Sequence, residues 1–367
     1  MLDDGKGGSG PLLKVMLDLG NAGAHTGTGV YGRTLLASLQ QYCSDSIDVR
    51  EAGISSVSTK MRPVRRLLYL ARLARLRRRG YRGADVVHFA NVYAPARKNR
   101  VSYVATIHDL DAIMYPQLYT RRYSAYYGRT VAASILRAHI VLTDTEAIRA
   151  QLLDRYPIGE DRVKVVGIGV SPQFVKAVET AGRDTADHPL TMLFVGRLEA
   201  KKNVEWLVDS VVTGVRSGAI PNVHLLLAGG SSYGIAAIQR ALRDAGPIAE
   251  WVVAPDMERI AALYAQSDFL VLPSHCEGFG IPLLEAMYCR KPIVASRIPT
   301  SVEVTGGGAY FFDLGSRDAF YAAVNDCVQG KNRRTHDAIA AQQLAHYAWP
   351  VLARAAAYVY TEAGLLA

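Results

Sequence analysis

The stretch TMLFVGRLEAKKNVEWLVDSVV, residues 191–212, indicates the fold of this chain. Its first five residues are mostly apolar without alternation, which is typical of a parallel strand buried on both faces. A loop with Gly196 follows, and from Val204 onward the apolar residues recur at helical spacing. The stretch therefore predicts a strand–loop–helix unit, the repeating element of parallel α/β sheets.

Apolar runs of the same kind recur along the chain in two sets. The first set comprises residues 12–17, 85–89, 101–107, 140–143 and 163–166. The second set comprises residues 191–195, 223–228, 251–253, 269–272, 292–295 and 310–312. The polar residues 171–188 between the sets read as a linker. Two such sets predict an α/β protein with two Rossmann-like domains facing each other across a cleft, whose ligands bind beyond the carboxyl ends of the strands.

The predicted domains are an N-terminal domain at residues 1–172, a C-terminal domain at 173–340, and a long C-terminal helix within 341–367 that packs back toward the N-terminal domain. The length of 367 residues suits two domains. No apolar run approaches the roughly 20 residues that span a bilayer. The first ten residues lack the features of a signal peptide and are expected to be disordered. Four scattered cysteines without metal-type or redox-type spacing indicate reduced thiols in a cytosolic protein.

The net charge of +9 is concentrated between residues 53 and 84, where no acidic residue occurs and arginines are interleaved with leucines. The arginines considered for a surface contact are Arg65, Arg66, Arg72 and Arg75. A solvated helix face is one interpretation, and binding to nucleic acid is another, although no recognition motif supports the latter. Attraction to an anionic membrane surface fits better, because apolar and cationic faces occur together.

Two loops in the first half carry candidate site residues. Residues 20–32 form a glycine-rich turn between a strand and a helix, which suits anion binding more than dinucleotide binding. His108 follows a strand and could position an acceptor or share a proton, or it could simply be hydrogen-bonded in its loop. Asp109 and Asp111 spell an acidic pair that elsewhere holds a divalent metal, but such short patterns often arise by chance.

In the second half, Arg197 and Lys202 lie in the loop after the strand of residues 191–195. Two fixed cations at this place could hold a diphosphate and stabilise the charge that develops on it as a leaving group. The alternative is ordinary solvated surface charge.

The stretch EGFGIPLLEAM, residues 277–287, follows another predicted strand. Pro282 fits the first position of a helix, where its missing N–H costs nothing, and Glu285 is then expected in the first turn. Glu277 belongs to the loop before that helix. The amides expected to be free for an anion are those of Phe279, Gly280 and Ile281.

The two carboxylates suit two different contacts. A carboxylate can accept two hydroxyl protons at once, so Glu285 suits the vicinal diol of a ribose. Glu277 would face a reacting sugar on the other side of the phosphates. The alternative for Glu285 is interaction with the helix dipole or N-capping.

These residues together resemble a known family. VGRL at 195–198 with Lys202-Asn203, and EGFG at 277–280 with EAM at 285–287, are similar to the retaining GT-B glycosyltransferases of family 4. His108-Asp109-Leu110 and the aromatic-rich residues 115–127 resemble its mannosyltransferase-type members. The resemblance covers nearly the whole chain. The sequence YCRKP at 288–292 departs from the alanine-cysteine-glycine-threonine-proline of many members.

The resemblance implies transfer of a sugar from a nucleotide-sugar donor with retained anomeric configuration and without a metal or other cofactor. It places Arg197 and Lys202 on the donor diphosphate and Glu285 on the ribose. It places Glu277 and the amides after it on the donor sugar and phosphates. The C-terminal domain would bind the donor, and the N-terminal domain the acceptor.

On the N-terminal side, the resemblance implies that Gly29 and His108 line the reaction centre. Pro255 lies in the loop that would flank the nucleobase. The expected catalytic residues are His108, Arg197, Lys202 and Glu277. Several relatives dock on the cytoplasmic face of the membrane, which gives the basic segment a counterpart and predicts a peripheral membrane location.

The expected function is therefore transfer of a sugar, with mannose from GDP-mannose as the preferred donor, onto a lipid-linked or surface-polysaccharide glycan. A UDP-sugar or dTDP-sugar transferase, a GT-B epimerase or phosphorylase, and a non-catalytic basic membrane-binding module remain as alternatives. Nucleic acid is not an expected partner.

Overall fold

The structure is a computed structural model that describes residues 11–19, 27–52, 71, 81, 83–91, 101–182, 189–231 and 235–366. It confirms the predicted α/β class, because the described strands form two six-stranded sheets in which all the strand pairs are parallel. The basic residues Arg65, Arg66, Arg72 and Arg75 lie outside the described residues. None of the described helices has the length and apolar character that would let it cross a bilayer.

The N-terminal sheet has the strand order β2-β1-β3-β4-β5-β6. Its strands are β1 (Leu13–Asp18), β2 (Ile47–Glu51), β3 (Val86–Phe89), β4 (Ser102–Thr106), β5 (Ile140–Thr143) and β6 (Val163–Val165). The helices of this half are α1 (Gly27–Tyr42), α2 (Asp111–Met114), α3 (Arg121–Arg137) and α4 (Glu146–Arg155).

The C-terminal sheet has the strand order β12-β11-β10-β7-β8-β9. Its strands are β7 (Thr191–Val195), β8 (His224–Gly229), β9 (Ala249–Val253), β10 (Phe269–Leu272), β11 (Ile293–Ser296) and β12 (Tyr310–Phe312). The helices of this half are α5 (Pro172–Ala181), α6 (Val204–Ser217), α7 (Ala236–Ala245), α8 (Met257–Gln266), α9 (Ile281–Tyr288), α10 (Pro299–Thr305), α11 (Arg317–Val328), α12 (Arg333–His346) and α13 (Trp349–Gly364). The order of the strands changes direction between β7 and β10, and ligands of parallel sheets bind at such a point.

Three expectations about secondary structure were incomplete or wrong. Strand β2 was not predicted, because three of the five residues of its sequence IDVRE are charged and it lies at the sheet edge. The expected linker contains helix α5, which Ser171 caps by accepting a hydrogen bond from the Phe174 amide. The long helix expected in residues 342–366 is two helices, because Pro350 is tolerated in the first turn of α13 but would break a continuous helix.

Helix α13 lies on the N-terminal half of the molecule. It packs against α1 and against β1, β3 and β4. The Tyr360 hydroxyl at its far end lies 2.7 Å from Nδ1 of buried His88. The Trp349 indole at its near end donates to the Val170 carbonyl at 2.8 Å. The chain passes from the N-terminal half to the C-terminal half near Val170 and returns near Trp349, and this hydrogen bond joins the two crossings.

Candidate active site

Loops that follow strands of both sheets meet in a cleft between the domains. A cavity of about 310 Å³ lies there, with His108 and Asp109 on the N-terminal side and Glu199 and Lys201 on the C-terminal side. The other lining residues are Thr28, Asn91, Ala112, Tyr119, Tyr123 and Tyr127. Of the predicted site residues His108 lines this cavity, and its lining residues Thr28 and Lys201 are the chain neighbours of Gly29 and Lys202.

His108 forms a buried pair with Asp144. Its Nδ1 lies 2.7 Å from Asp144 Oδ2, and its Nε2 lies 3.3 Å from the Ala90 carbonyl oxygen. Burial alone would lower the pKa of His108, but the negative charge and hydrogen bond of Asp144 outweigh it, so the net pKa lies above its usual value. The Tyr31 ring packs edge-on against the imidazole at 4.9 Å between ring centres. The histidine is therefore held in one orientation by fixed neighbours.

Lys202 and Glu277 form a second buried pair, which joins the loops after β7 and β10. The Lys202 Nζ lies 2.5 Å from Glu277 Oε1, and the two residues are 9% and 6% exposed. The Ser274 hydroxyl donates to the same oxygen at 2.6 Å. Burial raises the pKa of Glu277, but the ammonium groups of Lys202 and Lys201 and both hydrogen bonds more than offset this, so its pKa lies below its usual value. Glu277 is therefore held as a carboxylate.

The backbone after Glu277 approaches the N-terminal domain very closely. A Cβ atom on Gly278 would lie 2.1 Å from the His108 carbonyl oxygen, so only glycine fits there. Thr145 donates to the Gly278 carbonyl at 3.1 Å from the same side. Gly280 has a φ of +87°, which favours glycine, and directly precedes α9.

The amides of the loop are available to an anion. In the part of the chain that the structure describes, no acceptor pairs with the amides of Phe279, Gly280 and Ile281. The first residue of α1, Gly27, lies beside Ile281, the first residue of α9, since a Cβ built on Gly27 would be 3.7 Å from Ile281 Cδ1. Two helix N-termini, each with a partial positive charge, therefore meet at this place.

Glu285 occupies a different position in its helix from the one predicted. Helix α9 begins at Ile281, so Glu285 is the fifth helical residue and lies beyond the first turn. It makes no cap, which removes N-capping as an explanation. The Tyr264 hydroxyl donates to its Oε2 at 3.1 Å. Burial raises the pKa of Glu285 to about 7, and the Tyr264 hydrogen bond offsets only part of the effect.

The acidic pair after β4 is engaged within the protein. Asp111 is 2% exposed and forms an ion pair with Lys201 across the cleft at 2.9 Å. Asp109 Oδ1 accepts from the Asp111 amide at 3.2 Å and from the Tyr127 hydroxyl at 3.4 Å. Among the described residues no cluster of three or more histidine, cysteine, aspartate or glutamate side chains could hold a metal ion.

The remaining predicted residues, Gly29, Arg197 and Pro255, come after strands β1, β7 and β9. Arg197 is exposed in the loop after β7 and forms no ion pair with a described side chain. Gly29 is buried as the third residue of α1. Pro255 lies between β9 and α8, at the carboxyl edge of the C-terminal sheet. The Phe279 ring packs edge-on against Tyr347 at 5.1 Å between ring centres. Phe279 would therefore contact an anion through its backbone amide.

Two family models together match most of the chain. One is described as Glycosyltransferase Family 4 and matches residues 30–174, and the other is described as Glycosyl transferases group 1 and matches residues 189–329. The chain belongs to glycosyltransferase family 4. Each model matches one half of the glycosyltransferase, in agreement with its two sheets.

Curated relatives of this glycosyltransferase are distant. The O-antigen chain mannosyltransferase B of Escherichia coli is 25% identical over 263 residues, which are 68% of this chain and 66% of the relative. The D-inositol 3-phosphate glycosyltransferase of Acidothermus cellulolyticus is 30% identical over 186 residues, which are 47% of this chain and 42% of the relative. The glycosyltransferase therefore spans less than two thirds of the length of each of these relatives.

Solved structures share the GT-B fold of the glycosyltransferase. A sucrose-phosphate synthase from Thermosynechococcus elongatus has a TM-score of 0.74 at 17% identity, covering 97% of this chain and 100% of that one. Anabaena Alr3699/HepE in complex with UDP-glucose has a TM-score of 0.64 at 16% identity, covering 95% and 98%. The prediction of two facing Rossmann-like domains is confirmed.

Sequence reasoning missed several residues of the glycosyltransferase's site. Asp144 was not assigned to His108, although each lies just past the end of a strand and β4 and β5 are neighbours in the sheet. That neighbourhood is the signal that could have identified it. Tyr264 and the Asp111–Lys201 pair carried no local signal, because they meet their partners only through the fold. Ser274 lies three residues before Glu277, and that spacing is the signal that could have identified it.

Proposed function

We propose that this glycosyltransferase moves a sugar from a nucleotide-sugar donor to a glycan acceptor, with retained anomeric configuration and without a metal ion. The observation that carries the proposal is the meeting of free amides at the start of α9 with the buried Lys202–Glu277 pair and with Glu285. Amides that donate hydrogen bonds and a fixed cation suit a diphosphate, and two carboxylates suit the hydroxyl groups of a sugar and a ribose.

In the proposed complex, the donor phosphates bind the amides of residues 279–281 at the start of α9. Lys202 and Arg197 neutralise the negative charge that develops on the leaving diphosphate. Glu277 accepts hydrogen bonds from hydroxyls of the donor sugar, and Glu285 accepts them from the ribose. His108 faces the sugar from the N-terminal side, where its backbone lies close to Gly278 of the C-terminal domain.

We propose mannose as the transferred sugar and GDP-mannose as the donor. The similarity to an O-antigen chain mannosyltransferase supports mannose, and it also supports a lipid-linked or polysaccharide acceptor. The excess of positive charge supports a peripheral site of action on the cytoplasmic membrane face. Sedimentation with anionic but not neutral liposomes, and no binding to duplex DNA, would support that location.

The test is a thermal-shift screen over GDP, UDP and dTDP, followed by assays of sugar transfer with and without EDTA. A nucleotide that binds more tightly stabilises the folded state more at the same concentration, so GDP should give the largest shift. Transfer should continue in EDTA. A larger shift with UDP would contradict GDP-mannose, loss of transfer in EDTA would contradict metal independence, and no shift with any nucleotide would contradict the function.

Glu285 gives the proposal a pH-dependent prediction. Its carboxylate must be ionised to accept both ribose hydroxyls, so nucleotide affinity should weaken by up to tenfold per pH unit below about 7. Glu285→Gln should weaken binding at pH 8 and remove this pH dependence. Isothermal titration from pH 5.5 to 8.5 compares the two proteins, and because both bind the same nucleotide, titration of its phosphates cancels.

The same substitution should have the opposite effect on the free protein. Since burial raises the pKa of Glu285, the folded state holds its proton more tightly than the unfolded state, and stability falls as pH rises from about 4.5 to about 7. Glu285→Gln should therefore raise the Tm of the nucleotide-free protein at pH 8 by a few degrees. A lower Tm together with unchanged nucleotide affinity would contradict the assignment of Glu285 to the ribose.

A further inference from the structure

Three tyrosines line one wall of the cleft and belong to none of the donor contacts. Tyr119 and Tyr123 stack at 5.6 Å between ring centres, and Tyr123 and Tyr127 stack at 5.8 Å. Their rings are inclined by only 25° and 16°, so they form a continuous stack. We call these residues the tyrosine wall. Tyr123 in its middle is 47% exposed.

Hydrogen bonds to Asp109 and Thr120 fix the position of the tyrosine wall. The Tyr127 hydroxyl donates to the Asp109 carbonyl at 3.0 Å and lies 3.4 Å from its Oδ1. The first turn of α3 is fixed by Thr120, whose side chain accepts from the Tyr123 amide at 3.3 Å. The wall is therefore a fixed surface of the N-terminal domain that lines the cavity of the cleft.

The position of the wall separates it from the donor contacts. His108 lines the same cavity, whereas Lys202, Glu277 and Glu285 do not. A molecule in this cavity would therefore meet the donor sugar from the N-terminal side, next to His108. That is the place of an acceptor.

The charges of the cavity select the kind of acceptor. Its described lining has two carboxylates, Asp109 and Glu199. Its two basic groups, the Lys201 ammonium and the His108 imidazole, are already paired with Asp111 and Asp144. Glu199 forms no ion pair with any residue that the structure describes. Carboxylates repel a phosphate group bound in the same cavity, but they accept hydrogen bonds from sugar hydroxyls.

We propose that the tyrosine wall, with Asp109 and Glu199, is the acceptor subsite, and that it binds an uncharged sugar unit rather than a phosphorylated one. The inference rests on the proposed glycosyl transfer. The exposed part of the Tyr123 ring packs against the sugar, while the hydroxyls of Tyr119 and Tyr123 and the two carboxylates bind its hydroxyl groups. The chain would differ in this respect from the related D-inositol 3-phosphate glycosyltransferase.

The first experiment compares acceptors on the full-length protein. The donor is the mannose derivative of the nucleotide that gives the largest thermal shift. The uncharged acceptors are octyl α-mannoside, octyl β-glucoside and octyl β-galactoside, and the phosphorylated ones are inositol 3-phosphate and fructose 6-phosphate. At least one octyl glycoside should be used with a kcat/KM about tenfold or more above both sugar phosphates. Preference for a sugar phosphate, or transfer to neither class while nucleotide still binds, overturns the subsite.

The second experiment tests the wall itself. Tyr123→Ala should raise the KM for the preferred glycoside about tenfold, the combined effect of one lost hydrogen bond and lost ring contact. Tyr123→Phe keeps the ring and should raise KM less. Tyr126→Ala is the matched control, because Tyr126 is 52% exposed on the same helix but does not line the cavity. Its KM should equal that of the unchanged protein.

The outcomes separate the two levels of the proposal. The thermal shift of Tyr123→Ala with the donor nucleotide should equal that of the unchanged protein, which also shows that the variant is folded. An equal effect of Tyr123→Ala and Tyr126→Ala on KM would overturn the subsite alone. Failure of the unchanged protein to bind any nucleotide would overturn the proposed function.

Discussion

Lys202→Ala should abolish sugar transfer and lower the free energy of unfolding by about 3–5 kcal/mol, the usual cost of leaving one partner of a buried ion pair without its counter-charge. Both effects have one origin. Glu277 is 6% exposed, and its carboxylate depends on the ammonium group of Lys202 at 2.5 Å. Without that group the charge is left in a site from which water is excluded. Urea unfolding and a transfer assay measure the two losses separately.

A double substitution distinguishes a folding defect from lost chemistry. Lys202→Met with Glu277→Gln removes both charges, so it should recover most of the stability but none of the transfer. Lys176→Ala is a matched lysine control, because Lys176 is exposed on α5, and it should change stability by no more than about 0.5 kcal/mol. Transfer at the normal rate by the double variant would show that the pair is purely structural.

Gly278→Ala should reduce sugar transfer about 100-fold, since a displacement of about 1 Å at a reaction centre has an effect of this size. The added methyl would lie 2.1 Å from the His108 carbonyl oxygen and 3.1 Å from Asp109 Cβ. The first of these neighbours is backbone, so the whole loop or the whole His108 segment must move. The substitution therefore separates the donor loop from the N-terminal side of the cleft.

The control for this substitution is Gly230→Ala. Gly230 follows β8 on the same edge of the sheet, and a Cβ atom there would meet no atom of the described residues within 4 Å. Its transfer rate should remain within about twofold of the unchanged protein, a change of less than about 0.5 kcal/mol. If Gly278→Ala is equally active, the close approach of the two domains at His108 has no part in the reaction.

The sequence predicted the strands of this protein well because most of them are buried on both faces. Eleven apolar runs correspond to β1 and to β3–β12, whereas β2 was missed because an edge strand tolerates charge. The separation of α12 from α13 was also missed, although Pro350 in the first turn of α13 indicated it. Local patterns therefore determine the buried strands, while edges and helix ends depend on what packs against them.

The candidate site was only partly predictable for the same reason. His108, Lys202 and Glu277 could be found because each follows a buried strand, which fixes the edge of the sheet where it lies. Glu285 was predicted at the fourth position of its helix and lies at the fifth, since α9 begins at Ile281, directly after the left-handed Gly280, and not at Pro282. The pairs His108–Asp144 and Lys201–Asp111 required the sheet order and the docking of the domains.

The return of α13 to the N-terminal half determines how the two domains can be exchanged between relatives. A chimera that takes a foreign donor domain should keep residues 349–364 from the same parent as α1 and β1, because Tyr360 and Ala363 are completely buried. Gly169 must also match its parent's Trp349, since a Cβ there would lie 2.7 Å from the indole nitrogen. In this protein the last helix of the chain must therefore be exchanged together with the N-terminal domain, although it follows the C-terminal domain in sequence.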